Sequence, residues 1–246
     1  MKVLINADDF GFTKGNTYGI IEGHRNGIVT STSMMCNMFA FDLGIELAKQ
    51  NPSLGVGIHI VLTAGKPLCK DVKTIVDENG NFYPFSQFES HFPEMDITEI
   101  ERELTAQIER FIASGLYPTH FDNHHPIEKL ILPIELKLAK KYKVPLRHHN
   151  HGLSEQYGTV KTLDAHYGDF YDDNATYDVL KELIVKEIDT DKTVEIACHV
   201  AFIDQVLVEH SSYAYPRMKE LAVITSTQMK EFIEQHKICL INYRDI

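Results

Sequence analysis

Two carboxylates, Asp8 and Asp9, stand side by side where an apolar run, Val3-Leu4-Ile5, gives way to Gly11. Inside a strand, neighbouring side chains point to opposite faces. At a strand end, where the chain turns, both can reach one pocket with different aims. One would ligate a metal ion while the other stays free as a base. Helix capping is the alternative use of such an aspartate, but Thr13 and Asn16 already precede the next helical segment. Histidine, the commonest metal ligand and the acid–base group of neutral pH, occurs 13 times. His120, His124 and His125 form one cluster and His148, His149 and His151 another, with His59 and His199 single. Asp9, His59 and His124 together supply one carboxylate and two imidazoles, each at the end of an apolar run. Three protein ligands with positions left for water are the pattern of a catalytic metal site rather than a structural one. The set suits zinc, and also iron, manganese or cobalt; magnesium takes more oxygen. Asp122 could hold an imidazole in one tautomer. His59, between Ile58 and Ile60, could equally be a core histidine, and Arg147 a surface charge. His199, after Ala197-Cys198, has a strand-end position that favours the site. His148, His149 and His151 read as a solvated loop.

The elements that must position these residues alternate along the chain. Strands are expected at 2–6, 28–35, 54–61, 118–121, 144–147, 193–198 and 238–241, and helices at 17–26, 41–49, 130–142, 177–188 and 228–236. Ile97, Ile100, Leu104, Ile108, Phe111 and Ile112 recur at helical spacing and end at Gly115, the clearest amphipathic helix in the chain. Residues 148–174 and 204–218 read as irregular. Between 64 and 95, glycines and prolines punctuate the chain, with a turn signal at Asp77-Glu78-Asn79-Gly80. That stretch is expected to be an inserted flap over a cleft, within one domain spanning 1–246. Regular β/α alternation implies a parallel sheet with helices outside. The polar candidates fall just past several strand ends, as catalytic groups do in a (β/α) barrel. A barrel, irregular or with fewer than eight strands, is therefore the expected α/β fold.

A net charge of −11 argues against a nucleic-acid partner, since phosphates need a basic patch. No GxGxxG or Walker pattern follows the first strand, so nucleotide binding has no support. Four cysteines without a CxxC pair read as reduced thiols. The N-terminal apolar run is too short for a signal peptide, and no stretch is long enough for a membrane span. A cytoplasmic location is expected.

The motifs Asn6-Ala7-Asp8-Asp9-Phe10-Gly11, Gly27-Ile28-Val29-Thr30-Ser31-Thr32, Gly57-Ile58-His59, Gly65-Lys66-Pro67-Leu68 and Pro118-Thr119-His120-Phe121-Asp122-Asn123-His124-His125 resemble those of the YdjC-family carbohydrate deacetylases. Agreement with the chitooligosaccharide (chitobiose) deacetylase branch extends to Cys198-His199, Ala201-Phe202, Tyr215-Pro216-Arg217 and Glu220-Leu221. The resemblance covers nearly the whole chain. It implies a TIM-like (β/α) barrel that removes acetyl groups from N-acetylated sugars. It further implies a divalent metal on Asp9, His59 and His124, usually assigned as magnesium, and a homodimer. Asp8 matches the base, and His199 stands where a catalytic histidine is expected. By analogy with related polysaccharide deacetylases, Arg147 would orient the base. The implied partner is a small oligosaccharide, with His125, Tyr215, Arg217 and Phe202 as candidate contacts. The rings of Phe12, Phe202 and Tyr215 could stack on pyranose faces or equally belong to the core.

From these parts a mechanism is expected in which the metal polarises the acetyl carbonyl, Asp8 takes a proton from water, and a protonated His199 donates to the departing amine. Two departures bear on it: the family's further histidines are replaced by Pro126-Ile127-Glu128, and the usual proline after the late histidine is Val200. A barrel phosphoesterase or amidohydrolase is the competing enzyme, but its HxH at the first strand is absent. A sugar-binding protein that kept the site and lost turnover is the non-enzymatic alternative.

Overall fold

The computed structural model describes residues 2–147 and 154–246. Its strands are β1 (Lys2–Phe10), β2 (Ser31–Met34), β3 (Gly55–Ile60), β4 (Phe121–Asn123), β5 (Ala165–Tyr167), β6 (Thr193–Cys198) and β7 (Cys239–Leu240). Its helices are α1 (Lys14–Asn26), α2 (Phe41–Gln50), α3 (Phe85–His91), α4 (Ile97–Ala113), α5 (Glu128–Tyr142), α6 (Ser154–Tyr157), α7 (Tyr177–Val185), α8 (Gln205–His210), α9 (Pro216–Ile224) and α10 (Thr227–Gln235).

Every strand pairing within this sheet is parallel, in the order β4-β3-β2-β1-β6-β5, with β7 also on β1. The sheet curls without closing, so the expected barrel is a half-barrel. Parallel strands carry helices on their outer face and must be buried on both sides. Accordingly β1 is buried from Val3 to Phe10, and β3 throughout. The expected 144–147 strand is reduced to one parallel bridge, Phe121 with Leu146, flanked by the hydrogen bonds Phe121 N to Pro145 O (3.0 Å) and Arg147 N to Phe121 O (2.9 Å).

Two stretches expected to be irregular are ordered. Residues 165–167 pair with β6. Residues 204–218 contain α8, capped by Asp204 accepting from Leu207 N at 2.8 Å, and the start of α9, with Pro216 in its first turn. An N-cap aspartate and a first-turn proline are both readable start signals.

The 64–95 stretch carries an antiparallel bridge, Val76 to Phe82, and the helix α3. It is pinned to α4. Glu103 accepts from the amides of Leu68 (3.0 Å) and Cys69 (2.9 Å), and Glu99 from those of Lys73 and Thr74. The other face of α4 buries Ile100, Leu104, Ile108 and Phe111 completely.

Candidate metal centre and active-site cleft

β1 runs through Phe10, four residues past the expected end, so Asp8 and Asp9 lie inside it. What separates them is a bulge. From Ala7 to Phe10, three steps along β1 match two along β2, from Thr32 to Met34. Asp9 adopts φ 71°, a left-handed conformation uncommon outside glycine. Such backbone strain persists where the surroundings impose it. Here the irregular backbone does what a strand end was expected to do, and both carboxylates face the same floor with different partners.

Asp8 is saturated. Arg147 donates to both its oxygens, Nη1 to Oδ2 at 2.8 Å and Nη2 to Oδ1 at 2.6 Å, and Asn6 adds a bond to Oδ1 at 2.7 Å. The same guanidinium meets Asp122 Oδ2 at 2.7 Å and Glu195 Oε1 at 2.8 Å. Burial alone would raise the Asp8 carboxyl; the adjoining Arg147 outweighs it and holds Asp8 below the ordinary carboxylate value. Asp8 is ionised at neutral pH.

Asp9 lies among histidines. His124 Nδ1 is 2.9 Å from its Oδ1 and His59 Nε2 is 3.2 Å away. Arg217, from α9, approaches Oδ2 at 2.7 Å, outside hydrogen-bond geometry. Here too burial opposes ionisation, but Arg217 and His124 hold the carboxyl well below its ordinary range. Asp122 Oδ1 grips His59 Nδ1 at 2.8 Å, leaving Nε2 buried, aimed at Asp9 and without a hydrogen-bond partner. This is the carboxylate–histidine arrangement that orients a metal ligand.

The donor atoms of Asp9, His59 and His124 lie within 4.8 Å of one another. Without a metal ion, burial disfavours the His59 imidazolium, yet the Asp122 carboxylate raises its pKa to about 10. The cluster thus favours a positive charge at its centre. Nε2 of His59, buried without a hydrogen-bond partner, and Asp9 Oδ1, which faces both imidazoles, fit a divalent cation. A second grouping, Asp8, His59 and Asp122, fits less well, because Arg147 already bonds both of its carboxylates.

The cleft above this floor measures about 1080 Å³ and is walled by β-strand ends, residues 63–65 and 84–86, and the 166–171 and 210–217 segments. That is ample for a small ligand, whose sites run to about 300–1,000 Å³. His199 lines it, with Nε2 3.9 Å from Asp8 Oδ2. Tyr171 and Tyr213, stacked at 3.9 Å, both present to His199 edge-on. The Glu220 carboxylate accepts from the His199 backbone N–H and from the Tyr213 hydroxyl. Burial pushes the His199 imidazole down to about 4, so it is neutral at neutral pH until it takes up a proton.

The structure brings together Asp8, Asp9, His59, His124, His199 and Arg147. His125 also lines the cleft, bonded to Thr63 Oγ1 at 2.7 Å and stacked under Phe85 at 4.8 Å. Arg217 lines the cleft as well, buried with its guanidinium 2.7 Å from Asp9 Oδ2. Phe12 lines the cleft, whereas Phe202 and Tyr215 are exposed and lie outside its lining among the described residues. His148, His149 and His151 lie outside the described residues. Sequence reasoning met Asn6 and Glu220 only as parts of motifs, without a role, and missed Glu195, Tyr171 and Tyr213. Glu195 had a signal: in Thr193-Val194-Glu195-Ile196-Ala197-Cys198, alternation turns a charged residue to the side opposite Val194 and Ile196.

This geometry has close relatives. The sequence profile of the family described as YdjC-like protein matches residues 2–235. A protein named carbohydrate deacetylase from Listeria monocytogenes is 42% identical over the full length of both chains, and one of the same name from Clostridium beijerinckii is 40% identical, again over both full lengths. A crystal structure from Enterococcus faecalis V583, of a candidate cellobiose-phosphate cleavage protein, superposes with a TM-score of 0.93 at 37% identity, covering 99% of this chain and 98% of that one. A family 4 carbohydrate esterase from Streptomyces lividans shares the fold, with a TM-score of 0.54 at 12% identity over 99% of this chain and 94% of its own. The chain belongs to the YdjC-like family.

Proposed function

We propose that the protein is a metal-dependent carbohydrate deacetylase, a hydrolase that cleaves the acetamide of N-acetylated sugars such as chitobiose and related chitooligosaccharides. The observation that carries this reading is the division of labour between adjacent carboxylates: Asp8 is tied to Arg147, while Asp9 joins two imidazoles with donor atoms unfilled. Asp9, His59 and His124 would hold one divalent ion, magnesium by family resemblance or zinc by ligand type. When bound, that ion supplies Lewis acidity toward the acetyl carbonyl and toward water.

The rest of the chemistry falls to the chain's own groups. Asp8, ionised and fixed at both oxygens, is the general base that takes a proton from the attacking water. His199 carries a proton to the departing amine. Its Nε2 stands 3.9 Å from Asp8 Oδ2, which places it beside the base that first takes the proton. Arg147 keeps Asp8 in register. His125, with Phe12 and Phe85, contributes to the wall that faces the sugar, and Tyr171 offers a half-exposed ring beside His199.

No helix of the described residues is long and apolar enough to cross a membrane. The four cysteines are free, which accords with a reducing, cytoplasmic compartment. A homodimer is inferred from family resemblance.

The test is acetate release from diacetylchitobiose by the metal-loaded protein. Release that stops with a chelator and returns with added metal is the expected result. Sugar binding without acetate release would identify a binding protein and reject the reading.

A further inference from the structure

The C-terminal turn reaches the active site from below. Tyr243–Asp245 forms one 3-10 turn capped by Asn242, beyond residue 235 where the family profile stops. Tyr243 is almost completely buried. Its hydroxyl donates to Glu195 Oε2 at 2.5 Å, and its ring stacks on His120 at 3.9 Å and 11°. Glu195 Oε1 accepts from Arg147 Nε at 2.9 Å, and His120 Nε2 stands 3.6 Å from Asp122 Oδ2. One phenol therefore bonds one partner of Arg147, Glu195, and packs on His120, which neighbours another, Asp122. β3 is cut to fit this arrangement: a side chain at Gly55 would meet Asn242, and one at Gly57 would collide with the His120 ring.

We propose that Tyr243 is a positioning residue of the active site, acting through Glu195 to fix the Arg147 guanidinium and, through it, Asp8. Among the described residues Arg147 faces three carboxylates, Asp8, Asp122 and Glu195. A guanidinium shared by three carboxylates lies where their competition places it. The Tyr243 hydroxyl supplies the outer oxygen of Glu195 with a donor, which leaves the inner oxygen as the seat for Arg147 Nε. Without that hydroxyl, Glu195 can turn and the guanidinium follows. Small displacements of a positioning group are costly in rate: misplacement by about 1 Å can cost about a hundredfold.

The kinetic arm of the test rests on the deacetylase reading; a second arm does not. In the full-length, metal-loaded enzyme, Tyr243→Phe should lower kcat by about tenfold or more with KM changed less than about twofold and metal content unchanged. If Tyr243 acts through Arg147, the effects must not multiply: on an Arg147→Lys background, Tyr243→Phe should cost less than about a further twofold. A purely structural role would give multiplying losses, or none, and would overturn the proposal. Independently of any substrate, hydrogen exchange at the Arg147 Nε–H, followed by NMR, should quicken about tenfold or more in Tyr243→Phe while the β6 amides stay protected. An unchanged Nε–H overturns the proposal even if the kinetics move. If wild type releases no acetate, the deacetylase reading fails and the exchange arm still decides this one. Should Tyr243→Phe not fold, Glu195→Gln, which keeps an acceptor for Tyr243 but loses the charge facing Arg147, is measured in the same way.

Discussion

The floor of the cleft has two halves built from neighbouring residues, and they are finished differently. Around Asp8, the carboxylate itself is tied at both oxygens: Arg147 holds it while also meeting Asp122 and Glu195, Asn6 adds a bond, and Tyr243 bonds the outer oxygen of Glu195. Around Asp9, the backbone is strained, and buried atoms of both Asp9 and His59 lack hydrogen-bond partners. A buried polar atom left unmatched costs about 1–3 kcal/mol, a cost that a bound cation would offset at His59 Nε2. The saturated half is made to hold a charge still. The open half is made to receive a cation. Identical side chains one position apart thus acquire opposite tasks from their surroundings.

The comparison breaks most severely if the open half loses a ligand. His59→Ala or His124→Ala should release the metal and lower activity on the order of a thousandfold, the scale of losing the group that stabilises a developing oxyanion. His125→Ala, on the cleft wall, should keep most of its metal. Elemental analysis beside acetate release checks this, and full metal occupancy in either alanine variant would reject the ligand set.

A smaller effect separates both halves from the core beneath them. Glu135 of α5 is buried, and burial raises its carboxyl from 4.5 to about 8. Between those values the folded chain keeps a proton that the unfolded chain has lost. The stability tied to that proton is complete below pH 4.5 and is lost as pH rises through about 8, at up to about 1.4 kcal/mol per pH unit. Glu135→Gln should remove this slope, so that between pH 5 and 8 wild type loses roughly 3 kcal/mol more than the variant in urea unfolding. Parallel losses would show that Glu135 is ionised in the fold.

The smallest effect concerns the wall. Residues 64–95 should exchange amide hydrogens faster than 97–113 and slow when sugar binds. Glu103→Ala, which frees the Leu68 and Cys69 amides, should widen that gap and raise KM severalfold while α4 stays protected. Equal protection across both stretches would show a fixed wall instead of a flap.

Much of this arrangement was legible in the sequence because it obeys local rules. Strand alternation and strand-end placement brought out Asp8, Asp9, His59, His124 and His199, and the periodicity from Ile97 to Ile112 brought out α4. What escaped depends on long-range pairing. Nothing near Glu195 in sequence announces that Tyr243, 48 positions later, will bond it. The bulge at Asp9 arises from register against β2, so the strand end was read too early. Short helices such as α8 and α9 carry little periodicity, and their start signals, Asp204 and Pro216, were passed over. The resting charge of His199 needed its burial, which no residue type reveals.

The central claim is that Asp8 is the base and Asp9 the ligand. The most direct test is the single-turnover rate measured beside metal content for Asp8→Asn and Asp9→Asn. Asp8→Asn should keep its metal and its affinity for sugar while turnover slows by roughly a hundredfold or more, the scale of losing a general base. Asp9→Asn should bind metal weakly and recover part of its rate in excess metal. A metal-free Asp8→Asn beside a fully loaded Asp9→Asn would contradict the account and reverse the two assignments.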